Sequence, residues 1–117
     1  NADRPIIAGI LLNRLRRNWP LQVDATLQYA IGYQQREKTW WKKELTDEDK
    51  KIESPYNTYR NPGLPLGPIA NPGLEAINAV INPQITEYMF YLHEKNGVAH
   101  YAKTIEGHLE NIAKFLQ

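Results

Sequence analysis

The chain contains no cysteine, so neither a disulfide framework nor a thiolate metal site is open to it. It has no Gly-x-Ser-x-Gly segment, which removes the nucleophile elbow of many serine hydrolases. No run of about 18 apolar residues occurs, so nothing in the sequence reads as a membrane span, and no signal peptide is visible. An excess of one charge sign is missing too. The 14 Lys and Arg nearly balance the 13 Asp and Glu and are interspersed with them, which is not a nucleic-acid footprint. The one basic cluster, Arg14, Arg16 and Arg17, falls at the expected end of a helix, where cations complement the dipole.

Proline, by contrast, is concentrated. Five of the eight prolines lie between Ser54 and Gly73, interleaved with Gly and Asn. Each removes a backbone donor and restricts the residue before it, which excludes a long helix or a central strand. Tyr56, Tyr59, Leu64, Leu66 and Ile69 are apolar anchors that a solvated spacer would lack. The stretch therefore reads as a stiff, ordered surface loop presenting Tyr, Asn and Thr groups.

The 117 residues are one domain's worth, read here as a single domain. Asp3 is expected to cap a helix with Pro5 in its first turn, running to Arg17 with Ile7, Leu11 and Leu15 as its core stripe and Ala8 and Leu12 beside it. Asn13 and Arg14 are polar exceptions, and Pro20 ends the run. Asp24 is expected to cap a second helix over Ala25 to Ile31, closed by Gly32. Tyr33 to Glu44 shows no usable period. Thr46 and Asp49 form a capping-box pattern for one helical turn. Asn71-Pro72 should open a third helix through Leu74, Ile77 and Val80, stopped at Asn82-Pro83. Tyr88 to His93 and Val98 to Ala102 read as a hairpin across Lys95-Asn96-Gly97. Thr104 caps a last helix whose Ile105, Leu109, Ile112 and Leu116 share a stripe. The expected class is α+β, several helices around a small antiparallel sheet that contains the C-terminal hairpin.

Candidate chemistry rests on carboxylates, histidines and aromatics. Most carboxylates sit among lysines and read as solvated charges, leaving Asp24 and Glu53 as the ones of interest. His93, His100 and His108 match no metal-ligand spacing. His100, in the second strand, is either hydrogen-bonded at the sheet edge or a substrate contact. Tyr56, Tyr59, Trp40 and Trp41 either stack on sugar faces while Asn57, Thr58 and Gln22 bond hydroxyls, or form an aromatic core fragment.

Asn13-Arg14-Leu15, Pro20 to Asp24, Ser54 to Tyr59, Gly63-Leu64-Pro65, Gly67-Pro68-Ile69, Asn71-Pro72-Gly73, His100, Thr104 and His108 occur in an order that resembles the catalytic region of the endolytic murein transglycosylase, or YceG-like, family. Val23, Ala25, Tyr101 and Gly107 depart from the common pattern, and the Trp40-Trp41 region matches least.

The resemblance implies a bacterial enzyme at the outer face of the cytoplasmic membrane, anchored by an upstream segment. It would cut the β-1,4 bond between N-acetylmuramic acid and N-acetylglucosamine without water, leaving 1,6-anhydro ends. It implies that the catalytic glutamate lies upstream of Asn1, with no catalytic residue in this chain and no metal or cofactor. Gln22, Asp24, Tyr56, Asn57, Thr58, Tyr59, Asn71 and His100 would line the substrate groove. Peptidoglycan strands are the implied partner, with cell-wall synthesis machinery beside them, and no nucleic acid. The competing reading is a module that binds peptidoglycan, or helps assemble the wall, without cutting. A small-molecule lyase dependent on pyridoxal phosphate would need a phosphate cradle, and no Gly-rich strand-to-helix motif is present.

Overall fold

The computed structural model describes residues 2–116. In chain order these form helix α1 (Asp3–Arg16), α2 (Asp24–Ile31), a 3-10 turn (Asp49–Lys51), α3 (Leu74–Ile81), strands β1 (Phe90–His93) and β2 (Ala99–Ala102), and α4 (Ile105–Phe115). The class is α+β, and the two strands pair antiparallel. Two compact units are formed, one from Asn1–Arg14 with Pro72–Gln117 and one from Leu15–Asn71. The first is therefore assembled from both ends of the sequence.

In that first unit the hairpin closes in the expected place. Glu94 N donates to Val98 O at 2.9 Å, and the register pairs Leu92 with His100. Thr104 caps α4 as the sequence requires, its hydroxyl accepting from Gly107 N at 3.1 Å. The buried apolar residues are Ala8, Ile10, Ala79, Met89, Leu92 and Ala102.

The expected α1 stripe is corrected. Ile7, Leu11 and Leu15 are only half-buried, and the deepest side chains are Ile10 and Arg14, one turn apart. The cause is a close backbone approach at Gly9, where an added Cβ would stand 2.2 Å from Gln84 O. That contact turns the Gly9–Ile10 side inward. Arg14 is accordingly not a solvated helix-end cation: its Nε donates to Met89 O at 2.8 Å, and its guanidinium lies 5.1 Å from the Phe90 ring centroid. Asn13 likewise works inward, donating to Thr86 O and Tyr88 O. Asp3 is the first helical residue, and its carboxylate accepts the Tyr101 hydroxyl. Burial, then that carboxylate, pushes the Tyr101 phenol well above its ordinary value.

The cap expected at Asn71-Pro72 is also displaced. α3 begins at Leu74 behind Gly73, with no side-chain cap. The apolar stripes of α3 and α4 are largely exposed, from Leu74 and Val80 to Leu109 and Leu116.

The second unit contains α2, the 3-10 turn and the Pro-rich loop. Its α2 starts at Asp24 behind Val23, so Asp24 is not the cap, and Gly32 closes the helix through a bond from its N–H to Gln28 O at 3.1 Å. The Thr46 and Asp49 capping box is formed reciprocally: Thr46 N donates to the Asp49 carboxylate at 2.9 Å and Asp49 N to the Thr46 hydroxyl at 3.1 Å. A hydrogen bond from Lys42, ahead of those from Thr46, lowers the Asp49 carboxyl pKa. In the segment without a period, Gln34 and Thr39 pair through two backbone bonds, and Gln28 Nε2 ties it to α2 through Lys42 O at 2.8 Å.

Residues 52–73 contain no helix or strand, as the prolines demand. The anchors differ from those expected. Leu64 and Leu66 are exposed, while Leu21, Thr26, Leu27, Asn57 and Thr58 are the buried centre of this unit. A loop's carbonyls and amides need hydrogen-bonding partners, which apolar side chains cannot supply and Asn and Thr can.

Candidate functional site

Asn57 holds the loop's first turns together. Its Nδ2 donates to Lys50 O at 3.0 Å and Ile52 O at 2.9 Å, and its Oδ1 accepts Tyr59 N at 3.0 Å. Both side-chain donors are spent inside the fold. Thr58 is equally buried. Its Oγ1 accepts Val23 N at 3.0 Å and lies 2.8 Å from the Thr26 hydroxyl, which itself donates to Val23 O at 2.8 Å. A hydroxyl carries one proton, so with the Thr26 proton on Val23 O it is Thr58 that donates to Thr26; the Thr58 hydroxyl also lies 3.5 Å from Val23 O, which permits the reverse order.

This framework fixes the exposed groups above it. Gln22 N donates to Thr58 O at 3.1 Å, so consecutive amides of residues 22 and 23 both grip Thr58. Gln22 is thereby kept at φ 53, a left-handed conformation costing a non-glycine residue roughly 1 kcal/mol, with its side chain exposed. Two residues on, the Asp24 carboxylate accepts the Tyr59 hydroxyl, and the Lys50 ammonium lies 5.1 Å from the Tyr59 ring centroid. Tyr56 packs on Tyr29 at 4.9 Å between centroids. Of the residues singled out in the sequence, Gln22, Asp24, Tyr56, Asn57, Thr58 and Tyr59 thus share one framework. Asn71 is exposed, and no hydrogen bond among the described residues ties it to them.

His100 belongs to the other unit. Its Nε2 lies 2.6 Å from the Glu94 carboxylate, and its ring stacks on Phe115 at 3.5 Å. His108, also in that unit, stacks on Phe90 at 4.9 Å, and its buried Nδ1 has no partner among the described residues. Burial, then the nearby Arg14 charge, lowers its pKa below the ordinary value of 6.5. A histidine whose folded pKa is depressed contributes stability that is present above the unfolded pKa and lost as pH falls through the folded one. Unfolding should therefore become easier as pH falls below about 6.5, and a His108→Phe variant should show a flatter acid limb. An NMR titration of His108 with a midpoint at or above 6.5 would refute this.

Among the described residues no group of three or more His, Asp and Glu is arranged to hold a metal ion, and no helix is long and apolar enough to cross a membrane.

Residues 1–114 match a family model described as the YceG-like family. The chain belongs to the YceG-like family. It is 39% identical over 115 residues to the endolytic murein transglycosylase of Bacillus subtilis, covering 98% of this chain and 30% of that protein. The protein of the same name from Streptococcus pneumoniae serotype 2 is 36% identical over 116 residues, covering 96% of this chain and 20% of that one. A crystal structure of a YceG-like protein from Listeria monocytogenes superposes with a TM-score of 0.83 at 38% identity, covering 94% of this chain and 34% of that chain. The chain thus spans less than a third of the length of the curated relatives it matches.

Within this YceG-like framework, sequence reading missed Thr26 and Tyr29. Neither carries a local signal: Thr26 matters because its hydroxyl meets Thr58, 32 positions away, and Tyr29 because it meets Tyr56.

Proposed function

We propose that this chain forms part of an endolytic peptidoglycan lytic transglycosylase acting outside the cytoplasmic membrane, held there by a membrane anchor beyond this chain. The names of its relatives support the substrate class. The observation that carries the site is the exposed Asp24–Tyr59 pair beside the left-handed Gln22, all braced by Asn57 and Thr58. Pre-positioned polar groups of this kind suit a bound glycan, whose hydroxyls need donors and acceptors held in fixed places.

In the proposed reaction the 6-hydroxyl of N-acetylmuramic acid attacks its own anomeric carbon while the bond to the leaving oxygen breaks. One glutamate upstream of this chain donates a proton to that oxygen and takes the proton of the attacking hydroxyl. No water enters, so a second catalytic carboxylate is not required, unlike ordinary glycoside hydrolysis. Gln22, Asp24, Tyr56 and Tyr59 would orient the sugar rings; Asn57 and Thr58 would hold those residues in place.

Digestion of purified glycan strands with the full-length protein tests this. Mass spectrometry should find 1,6-anhydro ends, one water lighter than hydrolysed ends. Binding without new ends would make it a recognition module instead. Asp24→Asn and Tyr59→Phe should each slow turnover on the order of tenfold through lost orientation. Both should leave the melting temperature within about 2 °C, since an exposed pair adds little stability.

A further inference from the structure

We infer that the second unit carries an additional sugar-stacking subsite on an aromatic shelf formed by Tyr29, Gly32, Trp40, Trp41 and Ile69; this inference rests on the proposed glycan substrate. The five residues line a depression of about 520 Å³, within the usual range for small-ligand sites. Trp40 is 65% exposed, and Trp41 and Tyr29 are more than two-fifths exposed. Large aromatic faces left open to water together mark a binding surface rather than a core.

The shelf is built rather than incidental. Trp40 is braced edge-on by Tyr33, with centroids 5.1 Å apart, and the Trp41 backbone N–H donates to the Thr39 hydroxyl at 3.1 Å. The next residue is tied to α2 through the bond from Gln28 to Lys42 O. Gly32 sits at φ 84 and ψ −155, a region open essentially to glycine alone, and a Cβ there would meet nothing within 4 Å. The backbone at that point is therefore left uncovered.

Its chemistry selects the occupant. None of the five lining side chains is charged, which disfavours an anionic ligand. None of the five lies on a strand, so an extended peptide would find no edge to pair with. A pyranose ring, with an apolar C–H face and hydroxyls around its rim, can stack on an indole while its rim stays in water. The shelf is also continuous with the candidate site: Tyr29 packs against Tyr56, and Ile69 comes from the same Pro-rich loop. The geometry fits one N-acetylated sugar of a strand whose neighbouring sugars lie over Tyr56 and Tyr59.

The test uses the full-length protein and purified peptidoglycan glycan strands, following binding by isothermal titration calorimetry and cleavage by mass spectrometry. The Trp40→Ala/Trp41→Ala variant should raise Kd and KM for long strands about tenfold, the scale of one lost stacking contact, with kcat within about twofold. The Trp40→Tyr/Trp41→Tyr variant keeps a stacking face and should recover most of the affinity. Wild-type Kd and KM in the Ala variant, with anhydro ends still formed, would overturn the subsite and leave the proposed function standing. Tryptophan-dependent binding without anhydro ends would do the reverse. Equal losses in the Ala and Tyr variants, together with a lowered melting temperature, would make the tryptophans structural and overturn the subsite; failure of the wild type to bind strands would overturn both.

Discussion

Gly9→Ala is expected to destabilise the chain by about 3 kcal/mol, lowering the melting temperature by roughly 10–20 °C. The sign runs against helix propensity, which favours Ala over Gly by about 1 kcal/mol in a helix interior. Local sterics outweigh that preference because the new Cβ would stand 2.2 Å from Gln84 O. The obstacle is backbone, not the end of a flexible side chain. Moving it away would strain the bond from Gln84 N to Pro5 O, now 3.0 Å, and disturb the neighbouring Ile10, which is fully buried. Thermal unfolding followed by circular dichroism measures the outcome. A variant melting at or above the wild-type temperature would show that α1 and the chain after α3 are not in backbone contact.

Asn57→Ala is expected to cost a similar amount, about 3 kcal/mol, and, under the proposed function, to abolish most turnover of the full-length protein with it. The substitution strands Lys50 O, Ile52 O and Tyr59 N together. Each buried polar group left without a partner costs about 1–3 kcal/mol, reduced where water can enter. The link to function is Tyr59: with its amide released, the hydroxyl is no longer fixed against Asp24. Asn57→Asp should do no better, since it would face two carbonyl oxygens with a carboxylate in place of two donors. The combination of effects is the test. A residue that only touches substrate would lose turnover while keeping its melting temperature, and that result would move Asn57 from the framework to the binding surface.

The contrast between these two positions marks what the sequence could reveal. Features settled within a few residues were legible: the Thr46 and Asp49 capping box, the Thr104 cap, the hairpin across Lys95-Asn96-Gly97 and the loop without regular structure. Features decided by distant partners were not. Arg14 looks like a solvated helix-end cation until Met89 O and Phe90 are placed beside it, 75 and 76 positions on. Asn57 and Thr58 look like groups offered to a ligand, and spacing alone does not say that their partners are the backbone of residues 50, 52 and 23. The motif block did single out residues that lie together, since Gln22, Asp24 and Tyr56 to Tyr59 belong to one framework. What it could not divide was that cluster into inward braces and outward contacts, since Asn and Thr serve both uses equally well.

The division of the first unit between the two ends of the sequence has a consequence for how the polypeptide is made. Leu15–Asn71 is a compact unit made from one continuous stretch, so its residues are all synthesised together. The other unit must wait for Met89, whose carbonyl receives Arg14, and for Tyr101, which reaches back 98 positions to Asp3. Closing a loop that long costs chain entropy before any contact is gained, but the cost rises only logarithmically with loop length. The intervening unit, once ordered, shortens the effective loop to the distance between its own ends. Within this stretch α1 is therefore synthesised before Met89, which accepts from Arg14, and before Tyr101, which donates to Asp3.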